Sequence, residues 1–132
     1  MKSPKTAFLA LILFMAGTFT FSQTSAKTSE KQARVNVYYF HFNTRCATCR
    51  AVESEAQADV KELFGNDVSF ASYNLDEKAG EAKGKELGIS GQTLLIVKGN
   101  QQFNITTEGF MYARTNPKKF RQIIEEKIKP LL

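Results

Sequence analysis

Tryptophan is absent from this sequence; histidine occurs once and cysteine twice in 132 residues. Two cysteines allow one intrachain disulfide at most, and His41 is the only imidazole available as a base or ligand. No G-x-G-x-x-G follows a strand-like run, so nothing provides a flavin or nicotinamide site. No internal repeat and no second domain can be discerned. The net charge of +5 is spread along the chain. Lys118, Lys119 and Arg121 fall on the solvent side of a late helical pattern, and no nucleic-acid signature is present.

The two cysteines form one motif, Arg45-Cys46-Ala47-Thr48-Cys49-Arg50. It follows an aromatic run, Val37 to Phe42, and precedes a helical pattern. A C-x-x-C at a strand-to-helix junction is a redox signal. Cys46 is expected at a helix N-terminus, where unpaired N–H groups and the dipole favour a thiolate more acidic than a free thiol. Arg45 and Arg50 add positive charge that favours the same anion. Cys49, one turn further in, is expected to be the shielded, resolving thiol. A purely structural disulfide over three residues closes a tiny loop and constrains little of the unfolded chain.

The first residues do not belong to the domain. Lys2 and Lys5 precede an apolar run from Ala7 to Ala16 that is short for a membrane span. We read residues 1–22 as a secretory signal peptide ending before Gln23, and residues 23–33 as a polar tether. Uncleaved, the segment would anchor the chain to a membrane. Its removal lowers the net charge from +5 to +3, since it carries two lysines and no acids. Export implies a periplasmic or extracellular location and an oxidising compartment.

Residues 34–132 carry the fold. Val35 to Phe42 reads as a buried strand. Cys49, Val52, Ala56, Val60 and Leu63 make one helical stripe, which Gly65-Asn66 ends. Val68 to Leu75 is a second strand, and Asp76 a helix cap for Glu77 to Leu87. That helix is weakened by Gly80 and Gly84, each costing about 1 kcal/mol in a helix interior. Thr93 to Val97 is a continuous apolar strand. Phe103 and Ile105 alternate as in an edge strand, with the sequon Asn104-Ile105-Thr106 inside it. Asn116-Pro117 opens a last helix whose Phe120, Ile123, Ile124 and Ile128 face the core. Strand alternation sets Phe40 and Phe42 toward the motif and His41 on the opposite face, as a packed or second-layer histidine. Tyr38 and Tyr39 read as core.

This β-α-β-α-β-β-α order, with Cys46-Ala47-Thr48-Cys49 after the first strand, resembles the thioredoxin-like superfamily over residues 34–129. The resemblance implies a minimal α/β three-layer sandwich around a mixed four-stranded sheet. It also implies a substrate-facing surface at Gly91, Gln92, Thr93 and Gly109, the last in a glycine-containing turn, Glu108-Gly109-Phe110, beside the motif. The phrase Tyr39-Phe40-His41-Phe42, with Arg45 to Glu53, is similar to small exported proteins called nitrophenyl compound nitroreductase subunits. Without a cofactor site, this chain could at most deliver electrons to such an enzyme. The sequence also departs from the thioredoxin pattern. Arg45 stands in place of tryptophan, and Ala47-Thr48 in place of Gly-Pro. The family's buried aspartate falls on Phe40, its lysine partner on Ser72, and its cis-proline on Gln92. A non-proline cis bond costs about 2.5–4 kcal/mol, so the Gly91–Gln92 bond is expected to be trans.

Two functions follow as expectations. The first is a thiol–disulfide oxidoreductase, with the redox-active disulfide as its only redox group and a protein thiol or disulfide as partner, such as a membrane electron donor. The second is a soft-ion module in which Cys46 and Cys49 hold Cu(I) or As(III). No nucleic-acid partner is expected.

Overall fold

Val35, Val37 and Tyr39 point to one side of the first strand and Tyr38 and Phe40 to the other, and helices cover both. A computed structural model describes residues 33–132. The expected signal peptide, 1–22, lies outside the described residues, as does all of the tether 23–33 but its last residue. β1 (Val35–His41) runs between β2 (Val68–Asn74) and β3 (Thr93–Lys98), with β4 (Gln101–Asn104) at the edge beyond β3. β1 pairs in parallel with β2, from Val35 opposite Val68 to His41 opposite Asn74. It pairs antiparallel with β3, from Asn36 opposite Val97 to Phe40 opposite Thr93.

The helices are α1 (Ala47–Phe64), α2 (Lys78–Leu87), α3 (Thr106–Tyr112) and α4 (Pro117–Ile128), followed by a 3-10 turn over Lys129–Leu131. The main core lies between α1, α4 and one sheet face. Val35, Val37, Tyr39, Leu94 and Ile96 meet Val52, Ala56, Val60, Phe120, Ile124 and Ile128 there, all buried. The apolar stripes read from α1 and α4 are the ones that pack inward. Asn116 caps α4 as expected, its side chain accepting from the Lys119 N–H at 3.1 Å. Gly65 ends α1 at φ 54°, a left-handed angle that glycine adopts without strain. The other sheet face carries an aromatic layer. Phe40 stacks on Tyr73 with ring centroids 5.7 Å apart, and Lys83 of α2 lies 5.1 Å over the Tyr38 ring.

Three local expectations are corrected. The strand expected through Ile105 stops at Asn104, whose side-chain oxygen accepts from the Thr106 N–H at 3.0 Å and turns the chain. The sequon therefore sits at the strand end. The turn expected around Gly109 is the helix α3, an element the sequence pattern did not suggest. Asp76 does not cap α2. Its carboxylate accepts instead from the Asn43 N–H at 2.6 Å, and the cap residue is Glu77, whose side chain makes no capping bond.

One charge is buried between α1 and α4. Asp59 is 6% exposed, and its Oδ1 accepts from Arg121 at 3.0 Å. Glu62 also accepts from Arg121, at 2.6 Å. Burial raises the Asp59 pKa above the ordinary carboxylate value, against the pull of Arg121. The folded chain therefore holds this proton to higher pH than the unfolded chain does. Asp59's contribution to stability must then fall as pH rises from the ordinary carboxylate value through the raised one. We expect Asp59→Asn to be more stable than wild type at pH 7, with the gap closing below the ordinary carboxylate pKa. Urea unfolding of both proteins across that range measures it. A gap that widens on acidification would show that Arg121 outweighs burial.

Candidate functional site

Cys46 is the N-cap of α1, in extended conformation at φ −77° and ψ 165°. Its Sγ accepts from the Cys49 N–H at 3.0 Å, and its carbonyl accepts from the Arg50 N–H at 3.1 Å to start the helix. Cap residues supply a side-chain acceptor to the otherwise unpaired N–H groups of the first turn. Here that acceptor is sulfur, so the same N–H would stabilise a thiolate when the pair is reduced. No acidic residue lies in the first turn of α1 to oppose it. Cys46 is exposed and Cys49 is 6% exposed. Their Cα atoms are 5.0 Å apart and the two are joined as a disulfide.

The loop leading to Cys46 is tied to the end of β2. Leu75 N–H donates to the His41 carbonyl at 2.7 Å, and Asn74 donates to the Asn43 side chain at 2.7 Å. With the Asp76–Asn43 bond, these contacts fix where β1 releases the chain and hence where α1 begins.

Two side chains meet Cys49, one from β1 and one from the loop before β3. Tyr39 Oη donates to the Cys49 carbonyl at 2.9 Å. Gln92 Nε2 donates to Tyr39 Oη, and Gln92 Oε1 lies 3.6 Å from Cys49 Sγ. The phenol has one proton, given to the carbonyl, so toward Gln92 it can only accept. This orients the amide: nitrogen to the phenol, oxygen to the sulfur. Burial pushes the Tyr39 phenol above its ordinary pKa, while the Gln92 hydrogen bond and Arg45 pull the other way. Tyr39 therefore stays a donor throughout the physiological range.

The face assignment in the sequence is thus reversed. Tyr39 and His41 lie on the α1 side, with their rings stacked 6.0 Å apart, while Phe40 faces α2 and Phe42 is 38% exposed. The physical reason is that the slim Val35 and Val37, in line with Tyr39, offer the bed on which the long α1 packs. The side chain beneath Cys49 is therefore Tyr39, not Phe40. The signal for it was available: a buried tyrosine hydroxyl needs a partner, and the core reading of Tyr39 named none. His41 is half-buried, with Nδ1 3.0 Å from the Phe42 carbonyl, so that nitrogen carries the proton.

Arg45 forms an ion pair with Glu53, each about one-fifth exposed. Its charge is thereby partly neutralised. Arg50 Nη1 donates to the Arg45 carbonyl at 3.3 Å from an exposed position. Neither guanidinium hydrogen-bonds a sulfur, whereas the Cys49 amide does. Arg114, not foreseen, reaches Thr48 Oγ1 at 3.5 Å. In the expected substrate-facing loop, Gly91–Gln92 is trans, as no cis peptide bond occurs among the described residues. Gly91 is half-buried, and Thr93 Oγ1 donates to its carbonyl at 2.9 Å. Gly109 does not join this loop. It is buried in α3, where an added Cβ would lie 3.0 Å from Val52 and 3.5 Å from the Phe120 ring. Its task is close helix packing. Among the described residues no group of three or more His, Cys, Asp or Glu is placed to hold a metal ion, so the two sulfurs have no third ligand of that kind beside them.

No family model matches the chain, and no curated protein matches it. Solved structures do. Trxlp from Edwardsiella tarda is 17% identical over 71% of this chain and 84% of its own, with a TM-score of 0.51. Thioredoxin f2 from Chlamydomonas reinhardtii is 16% identical over 74% of this chain and 82% of its own, with a TM-score of 0.45. A thioredoxin from Thermus thermophilus is 19% identical over 74% and 79%, with a TM-score of 0.41. The first likeness is close enough to show the fold: an α/β, thioredoxin-like domain with a mixed four-stranded sheet.

Proposed function

We propose that this thioredoxin-like chain is an exported thiol–disulfide exchange protein working through Cys46 and Cys49. The observation that carries the reading is the exposed Cys46 sulfur at the α1 N-cap, hydrogen-bonded by the Cys49 amide and paired with a buried second sulfur. In the reducing direction, the Cys46 thiolate attacks one sulfur of a partner disulfide. A Cys46–sulfur bond forms, the partner's S–S bond breaks, and the leaving thiolate takes a proton from water. Cys49 then loses its proton, and its thiolate attacks Cys46 Sγ. The second partner thiolate leaves and is protonated. The partner gains two electrons and two protons, and the pair becomes the Cys46–Cys49 disulfide. The oxidising direction is the reverse.

The partner is a protein thiol or disulfide. Under the resemblance to nitroreductase subunits, the chain carries electrons from a donor, such as a membrane-bound one, to a separate reductase.

The test uses the reduced full chain with glutathione disulfide and with a disulfide-linked peptide. Wild type should reduce one disulfide per chain. Cys49→Ser should arrest as a mixed disulfide on Cys46, visible by mass. Failure of Cys46 to form any adduct, or capture on Cys49 in Cys46→Ser at an equal rate, would remove the proposal.

A further inference from the structure

Among the described residues no carboxylate hydrogen-bonds Cys49. Within the same residues, the side chains that hydrogen-bond Cys49 are those of Cys46, Tyr39 and Gln92. The charged groups of the surrounding elements are accounted for elsewhere. Arg45 is paired with Glu53, Arg50 is exposed on α1, Arg114 reaches Thr48 from beyond α3, and His41 stacks on Tyr39. What faces the Cys49 sulfur is a neutral amide oxygen, aimed by Tyr39.

Resting on the thiol–disulfide reading above, we propose that Gln92, oriented by Tyr39, is the positioning residue that keeps the reduced Cys49 in its thiol form and delays its attack on Cys46. An amide oxygen is an acceptor only. It takes a hydrogen bond from S–H and repels S⁻, so it favours the neutral form of a group whose burial already does so. The phenol cannot relieve this, because its proton is committed to the Cys49 carbonyl. Among the described residues no side chain that hydrogen-bonds Cys49 is a base, so its proton passes to water or to a departing partner thiolate. The first exchange at Cys46 is then fast and the second slow, and a mixed disulfide on Cys46 persists. Such a protein suits partners that must be held before release.

Removing the phenol tests the idea, and a second variant that keeps the space beside the sulfur filled separates it from mere hydration of a loosened site. In Tyr39→Phe the amide loses its acceptor and is free to turn its nitrogen toward the sulfur, which favours the thiolate. In Gln92→Met, a side chain of similar length, the acceptor is gone. Both are made in the Cys46→Ser background, and Cys49 ionisation is followed by thiolate absorbance against pH. We expect the pH of half-ionisation to fall by about one unit in each, a tenfold rise in thiolate fraction near neutrality. In the two-cysteine protein, mixed-disulfide resolution should accelerate by a similar factor, with its pH profile moved to lower pH. An unshifted Cys49 titration in folded Gln92→Met overturns the proposal, whether or not Tyr39→Phe folds. That outcome leaves exchange at Cys46 intact. Absence of exchange with the titration shift present would instead overturn the functional reading alone.

Discussion

Gly80→Ala should destabilise the folded chain by about 3 kcal/mol or more, at or beyond the upper end of what overpacking usually costs. For a domain of this size that is a fall in Tm of roughly 15 °C. A Cβ built on Gly80 would lie 1.8 Å from the Asn74 carbonyl oxygen and 2.4 Å from its carbon. Both are backbone atoms at the end of β2, so no rotamer change relieves the clash and α2 must lift off. Helix propensity alone argues the opposite, since alanine gains about 1 kcal/mol over glycine in a helix interior. The sign of the measured change therefore separates the two accounts. Gly91→Ala is the control: nothing lies within 4 Å of its added Cβ, and a change within about 0.5 kcal/mol is expected. Thermal and urea unfolding of the three proteins decides it. A Gly80→Ala protein as stable as wild type would mean that α2 is not seated on Asn74.

In the reduced protein, iodoacetamide should modify Cys46 at least about a hundredfold faster than Cys49 at pH 7, the effect of roughly two units of difference in thiol acidity. Two features act together. Cys46 is exposed at the α1 N-cap and receives the Cys49 N–H at 3.0 Å. Cys49 is 6% exposed and faces the Gln92 oxygen at 3.6 Å. Peptide mapping after timed alkylation across pH gives both rates. Comparable rates at the two sulfurs would mean that the cap bond does not favour the Cys46 thiolate. Faster modification of Cys49 would exchange the roles of the two cysteines.

The parts of this molecule that can be read along the chain are those whose cause is local. The α1 stripe from Cys49 to Val60 and the Asn116-Pro117 start of α4 follow from periodicity and capping, which need no knowledge of the rest of the fold. The C-x-x-C at a strand-to-helix junction is equally local, and so the place of Cys46 was legible. The features that escaped depend on residues distant in sequence. Gly80 looked like a weak point in a helix because the carbonyl it avoids belongs to another element. The turn at Gly109 came from the family resemblance, and the segment itself, with two threonines and a glycine, has too little intrinsic helix propensity to suggest otherwise. The helix forms because that glycine lets α3 approach Val52 and Phe120 closely. Tyr39 was read as core because alternation fixes which residues share a face, not which face the helix will cover. Glu53, the partner that offsets Arg45, stands one helix turn beyond Cys49 and is drawn in only when α1 forms.

The Tyr39–Gln92 contact joins residues 53 positions apart, whereas the disulfide spans a separation of 3. Pairing of β1 with β3 is non-local and carries the larger loop-closure cost, so it belongs to the slow part of chain assembly. The sulfurs can therefore be oxidised in a newly emerged, still unfolded chain, which with two cysteines has no wrong intrachain pairing to make. At that time they behave as an ordinary flexible dithiol. The distinct character of Cys49 is acquired last, when β3 docks. A truncated or misassembled chain would keep an oxidisable cysteine pair without the restraint on its second sulfur.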